Sequence, residues 1–108
     1  MGYRIEGDGS YQHTLVYRDG KCIEYKALSF GVDAVECVAC VDGVEGKVDQ
    51  LLITSIYMII GEGSFSNTKV VYMDNVLRGV QSIHGHIYKG GHPILMIETV
   101  LLPNIVEN

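Results

Sequence analysis

Read against itself at an offset of 54, the 108-residue chain repeats. Tyr3-Arg4-Ile5-Glu6-Gly7-Asp8-Gly9-Ser10-Tyr11-Gln12-His13-Thr14 lies against Tyr57-Met58-Ile59-Ile60-Gly61-Glu62-Gly63-Ser64-Phe65-Ser66-Asn67-Thr68. Six of these twelve positions are identical, and Asp8/Glu62 and Tyr11/Phe65 are close; unrelated segments of ordinary usage would share on the order of one. Val16-Tyr17-Arg18-Asp19-Gly20 then matches Val71-Tyr72-Met73-Asp74-Asn75, one residue further on, which places an insertion before this hairpin. Tyr25, Leu28 and Val32 meet Val80, Ile83 and Ile87 in the same frame, and the copies diverge most at Lys89 to Pro93, where the second has a longer turn. A unit of this size does not close a core by itself. The reading is therefore one domain made of repeats 1–54 and 55–108, related by a pseudo-twofold and sharing one core.

The local signals within each copy are those of strands. Leu15-Val16-Tyr17 runs into Asp19-Gly20, and Val70-Val71-Tyr72 into Asp74-Asn75, pairs that accept the positive φ of tight hairpins. Cys22 to Phe30 and Leu77 to Tyr88 follow as strands, then Val35 to Val41 and Ile94 to Leu102, with Gly90-Gly91 closing the last hairpin. Pro93 fits only at a strand edge or start. Val48, Leu51, Leu52, Ser55, Ile56, Ile59 and Ile60 also fit a helical stripe. A strand is preferred for Tyr57 to Ile60, because its counterpart opens the chain with no room for a helix. Asp33 to Val41 has a short helix capped by Asp33 as its alternative. The expected fold is all-β and mainly antiparallel: two tandem β-meander repeats forming a sandwich or barrel, with at most one short helix.

Charge sets further bounds. The net charge is −5, only 19% of residues are charged, and no Lys/Arg run occurs. That argues against a duplex nucleic-acid partner, which calls for a basic stripe. It leaves room for a small anionic ligand held by one or two arginines. So little surface charge suggests that a partner covers part of it, most simply in a homo-oligomer. Cys22, Cys37 and Cys40 form no framework and read as reduced thiols. Met1 to Ser10 lacks a charged-then-apolar leader. The most apolar stretch, Leu51 to Ile60, is too short to span a bilayer as a helix.

The Gly-Asp-Gly-Ser lead-in with Thr four residues on, the Asp-Gly turn and Gly79-Val80-Gln81-Ser82 together resemble a group of small, acidic, β-rich proteins encoded by bacteriophages and prophages. The Val44-Glu45 and Val106-Glu107 endings echo the same group. The resemblance covers each half separately. It departs in the first copy, where Glu24-Tyr25-Lys26-Ala27 replaces the Gly-Val-x-Ser element. It implies a viral origin and carries no chemistry with it.

Each candidate site has a plain structural account beside the functional one. Cys37-x-x-Cys40 has the spacing of a zinc or redox pair, but residues three apart on a strand face opposite ways and no second pair exists, so small buried apolar side chains are the better account. His84 and His86 share a strand face, and a turn at Gly90-Gly91 could bring His92 near them as a three-imidazole metal site; exposed polar residues are the alternative. Gly9 and Gly63 lie in repeated glycine loops whose backbone N–H groups could form an anion nest, against which Asp8 and Glu62 work. Neither loop is followed by the Lys of a P-loop. Arg18 and Arg78, with Tyr11, Tyr17 and Tyr72, supply the cation and ring that hold a nucleotide. No hydrolase elbow or zinc-protease motif occurs, and no spacing marks a triad.

Three functions follow from this reading. The first is a non-enzymatic, oligomeric viral binding protein without cofactor, acting in the cytoplasm of an infected bacterium and sequestering a small nucleotide-derived immune signal. The second is a virion structural or assembly component of tail or head. The third is metal binding through His84, His86 and His92.

Overall fold

A computed structural model describes residues 2–55 and 57–100. Eleven strands follow one another: β1 (Gly2–Gly7), β2 (Thr14–Arg18), β3 (Lys21–Ile23), β4 (Ala27–Asp33), β5 (Cys37–Val41), β6 (Val44–Thr54), β7 (Tyr57–Gly61), β8 (Lys69–Tyr72), β9 (Asn75–Val76), β10 (Val80–Tyr88) and β11 (Ile94–Thr99). Single 3-10 turns occupy Tyr11–His13 and Phe65–Asn67. The fold is all-β. Among the described residues no helix is long and apolar enough to cross a membrane.

The stripe from Val48 to Ile60, which had a helix as its alternative, is two strands, β6 and β7, as preferred for Tyr57 to Ile60, with Ile56 outside the described residues; a bulge explains the helical spacing at its start. β1 pairs with β6 in parallel, Tyr3 with Val48 and then Arg4 with Gln50, so Asp49 is the extra residue. A bulge resets the two-residue alternation. Val48 and Leu51 therefore both face inward although three residues separate them. The alternative helix from Asp33 is likewise absent. The Asp33 carboxylate accepts from the Val35 and Glu36 N–H groups at 2.8 and 2.9 Å, closing a turn that delivers the chain straight into β5.

The pairing runs β11-β10-β4-β5-β6-β1-β2-β3, with β7, β8 and β9 branching from the far end of β6. Every pairing is antiparallel except β1 with β6. β6 is the spine: β5 and β7 share one of its edges, and β1 takes the other. The sheet folds over one core cluster that joins β1, β2, β6, β7 and β8 to β4, β5 and β10, a sandwich-like arrangement.

The pairing of β4 with β10 is symmetric under the 55-residue offset of the sequence. Phe30 pairs with Gly85, Leu28 with Ile87 and Val32 with Ile83. Shifted by 55, Leu28 becomes Ile83 and Ile87 falls back to Val32, so each pair maps onto the other. A local twofold thus passes between Phe30 and Gly85.

The registers also move the insertion. Ile5 pairs with Val16 and Ile59 with Val70, so Val70, and not Val71, is the counterpart of Val16. The hairpins agree: positive φ falls on Asp19 (52°) and Gly20 (84°) in one copy and on Met73 (51°) and Asp74 (65°) in the other. The extra residue therefore lies between β9 and β10, beside Gly79 with φ 75°. Sequence identity at Asp19/Asp74 outweighed the inward position of Val70, whose side chain is buried like that of Val16. The long second strand expected in the first copy is divided: β3 completes the hairpin with β2, then Glu24 to Lys26 carry the chain across to β4; its counterpart expected from Leu77 to Tyr88 is the single strand β10 from Val80. Tyr25 buries its ring at that crossing and donates to the Thr14 carbonyl at 2.8 Å.

The copies contribute unequally to the core. Tyr3, Ile5, Val16, Leu28, Phe30, Val32, Ala39, Val41, Val48, Leu51 and Ile53 are buried in the first, against Ile59, Val70, Ile83 and Ile87 in the second. β5 lies between β4 and β6, whereas its counterpart β11 has β10 as its neighbour among the described residues. Among the described residues the second copy is correspondingly barer.

Candidate functional site

Where the local twofold meets the glycine loop of the first copy lies a cavity of about 500 Å³. β4 and β10 contribute Phe30, Gly85 and Ile87, the β10–β11 turn and β11 contribute Pro93, Ile94 and Leu95, and Ile53, Ser55 and Tyr57 face them. Two identical residues at the centre of the twofold would compete for one volume, and here a large ring faces a glycine. A Cβ on Gly85 would stand 2.2 Å from Phe30 Cε2. Asp8, Gly9 and Ser10 complete the lining, and among the described residues Asp8 is its one charged residue.

The loop is ordered by its own polar groups. The Gly9 N–H donates to Thr14 Oγ1 at 3.0 Å, and Gly9 takes φ 94°, a conformation that suits glycine. Asp8 Oδ1 accepts from the Ser10 N–H at 2.8 Å and from Ser10 Oγ at 2.6 Å. These two bonds, the hydroxyl first, and the neighbouring His13 hold the Asp8 carboxyl below its ordinary value. Asp8 is therefore an anion at neutral pH.

Asp8, Ser10 and His13 together have the composition of a catalytic triad but not its geometry. His13 Nδ1 lies 3.2 Å from Ser10 Oγ and 3.4 Å from Asp8 Oδ2. A relay needs one ring nitrogen on the serine and the other on the carboxylate. Here a single nitrogen meets both, and the serine proton already points to Asp8. This cluster and the Phe30/Gly85 cavity were not anticipated. Asp-x-Ser-x-x-His in the first loop and the large–small exchange at positions 30 and 85 were the available signals.

The residues expected to form one nucleotide site are dispersed. Gly9 lines the cavity, while Gly63 lies in a separate groove with Asp33, Glu36, Lys47 and Phe65. Tyr11 stands edge-on to Tyr25, 5.2 Å between centroids, and donates to its carbonyl at 2.8 Å in a third depression that includes Lys26 and Lys89. Burial pushes the Tyr25 phenol up to about 12. Tyr17 does carry an arginine, but it is Arg4, 4.0 Å above the ring. Tyr72 packs on Tyr57 at 4.8 Å. Arg18 is half-buried in β2 and Arg78 is exposed before β10, and neither lines the cavity.

His84 and His86 do share a face, in a groove of about 230 Å³ with Glu36, Cys40 and Glu45, but His92 is not part of it. Among the described residues no three His, Cys, Asp or Glu side chains are placed to hold a metal ion. Cys37 and Cys40 point to opposite faces, as their spacing requires. The Cys37 thiol turns inward towards the Val48 carbonyl, 3.7 Å away, and burial raises its pKa. Comparisons with protein-family models, with curated proteins and with solved structures find no match to this chain.

Proposed function

We propose that this chain is a non-enzymatic viral binding protein that holds a small, mainly apolar ligand in the cavity at its local twofold. The observation that carries the proposal is the lining: apolar side chains from both copies with one carboxylate at the rim, kept ionised. Cavities of this size and character suit small molecules, with a few polar groups fixing their orientation. Asp8 favours a ligand with an ammonium or another hydrogen-bond donor. A phosphate would meet that carboxylate with no arginine or lysine in the lining, so this cavity supports an amine over the nucleotide-derived signal expected from the Arg and Tyr inventory. The absence of enzymatic function is supported by Ser10, whose hydroxyl is engaged by Asp8 instead of a free imidazole nitrogen. Viral origin rests on the phage-like motifs, and the cytoplasm of the infected host is the compartment where such a protein would act.

Calorimetry against apolar amines, neutral apolar compounds, cyclic dinucleotides and ADP-ribose derivatives tests the assignment. Binding of apolar amines, weakened in Asp8→Asn, is the expected result. Heat from the nucleotides alone would restore the nucleotide reading, and heat from no member would remove the ligand-binding function. A virion assembly role draws on the apolar edge of β11; mass spectrometry of purified particles would detect the chain if it holds.

A further inference from the structure

The outermost strands among the described residues are β3, β9 and β11. Exposed edges template unwanted pairing, and proteins blunt them by shortness or by a lysine. β3 is three residues long and begins with Lys21, and β9 is two residues long. Among the described residues β11 has neither protection. It is six residues long, carries no Lys, Arg or Pro, and exposes Ile94 (47%) and Met96 (52%), with Val100 (40%) just beyond. In the first copy the same edge is covered, because Asp42-Gly43 turns β5 into β6. In the second, Glu98 and Thr99 stay in the strand opposite Ser82 and Val80.

We propose that β11 pairs antiparallel with β11 of a second copy of this chain, carrying the sheet across an intermolecular twofold. Two observations favour this occupant. The first is continuity: the fold already joins equivalent strands of its two units antiparallel about a twofold at β4–β10, and β11 is the next strand beyond β10 in that same sheet. The second is self-complementarity of charge. Glu98 is the strand's one charged residue and sits near its end, so antiparallel pairing separates the two carboxylates whereas parallel pairing would stack them. A pairing centred on Leu95 sets Ile94 against the partner's Met96, and Glu98 against the partner's His92. A contact of two short strands is small, so a weak dimer is expected. The proposal rests on the backbone edge of β11, although Ile94 and Leu95 of that strand also line the cavity.

Sedimentation equilibrium of the full chain from about 1 µM to about 1 mM tests it. A monomer–dimer equilibrium is expected, weakened at least about tenfold by Met96→Lys, which places a charge on the edge. Val76→Lys, on equally exposed β9, should leave it unchanged. Circular dichroism checks that both variants fold. Amide exchange across Ile94–Thr99 should slow as concentration rises. A chain monomeric throughout, a dimer indifferent to Met96→Lys, or β11 amides protected in the monomer by residues 101–108 would each overturn the proposal.

Discussion

Asp8 and Asp33 do the same work in different loops. Each carboxylate closes a turn by accepting hydrogen bonds from residues two or three ahead, and these lower its pKa: the Ser10 hydroxyl and then its N–H for Asp8, the Glu36 and Val35 N–H groups for Asp33. The sign of the linkage follows. An acid with a folded value below its unfolded one stabilises the fold above the unfolded value, and that contribution disappears as pH falls through the folded value. Denaturation midpoints should therefore hold steady from neutrality to about pH 5 and drop below about pH 4, and the combined Asp8→Asn, Asp33→Asn variant should show a shallower acid limb. An unchanged limb would mean that other carboxyls dominate. Neither role needed tertiary information, since Asp-x-Ser and Asp-x-x-Glu are local turn patterns. What no local pattern held was that one of the two loops would stand over an apolar cavity.

Turns and bulges decide the elements. Three two-residue hairpins place both central residues at positive φ: Asp19-Gly20, Asp42-Gly43 and Met73-Asp74. Two have the Asp-Gly pair that such turns favour, although the one at Asp42 was passed over in the sequence. The third puts a long unbranched side chain at φ 51°. Left-handed backbone costs such residues about 1 kcal/mol or more, which asparagine and glycine largely avoid. Met73→Asn should stabilise by about 1 kcal/mol, and Gly43→Ala, with open space at its Cβ, should destabilise by a similar amount. Thermal denaturation measures both; a Met73→Asn variant melting lower would refute the strained turn. The bulge at Asp49 explains the helical alternative, because one extra residue gives a strand's spacing the look of a helix's.

At the scale of the molecule, the duplication gives a scaffold and the differences between copies give it a site. Phe30 and Gly85 occupy equivalent positions yet differ maximally in size, and the ring of one lies where the other's side chain would be. Gly85→Ala should cost about 1–3 kcal/mol by overpacking. Phe30→Leu in that background should return part of the loss, since neighbours in contact are not additive. A double-mutant cycle by chemical denaturation checks this, and strictly additive effects would show that the ring does not lean on Gly85. The uneven core belongs to this scale too: the first copy is enclosed by β6, while the second shows apolar side chains along β11.

The sequence alone determined the repeat, the all-β class and the opposite faces of Cys37 and Cys40, because these depend on side-chain period and on short-range turn chemistry. It did not determine which residues meet. The arginine over Tyr17 is Arg4 because the register of β1 against β2 puts Arg4 and Tyr17 directly opposite. His92 does not line the groove of His84 and His86, and Gly9 and Gly63 serve different surfaces because the sheet separates what the repeat makes equivalent. Only the folding of one sheet over a common core brought Asp8 beside Phe30, Ile87 and Leu95, since that proximity comes from long-range burial and no spacing along the chain encodes it.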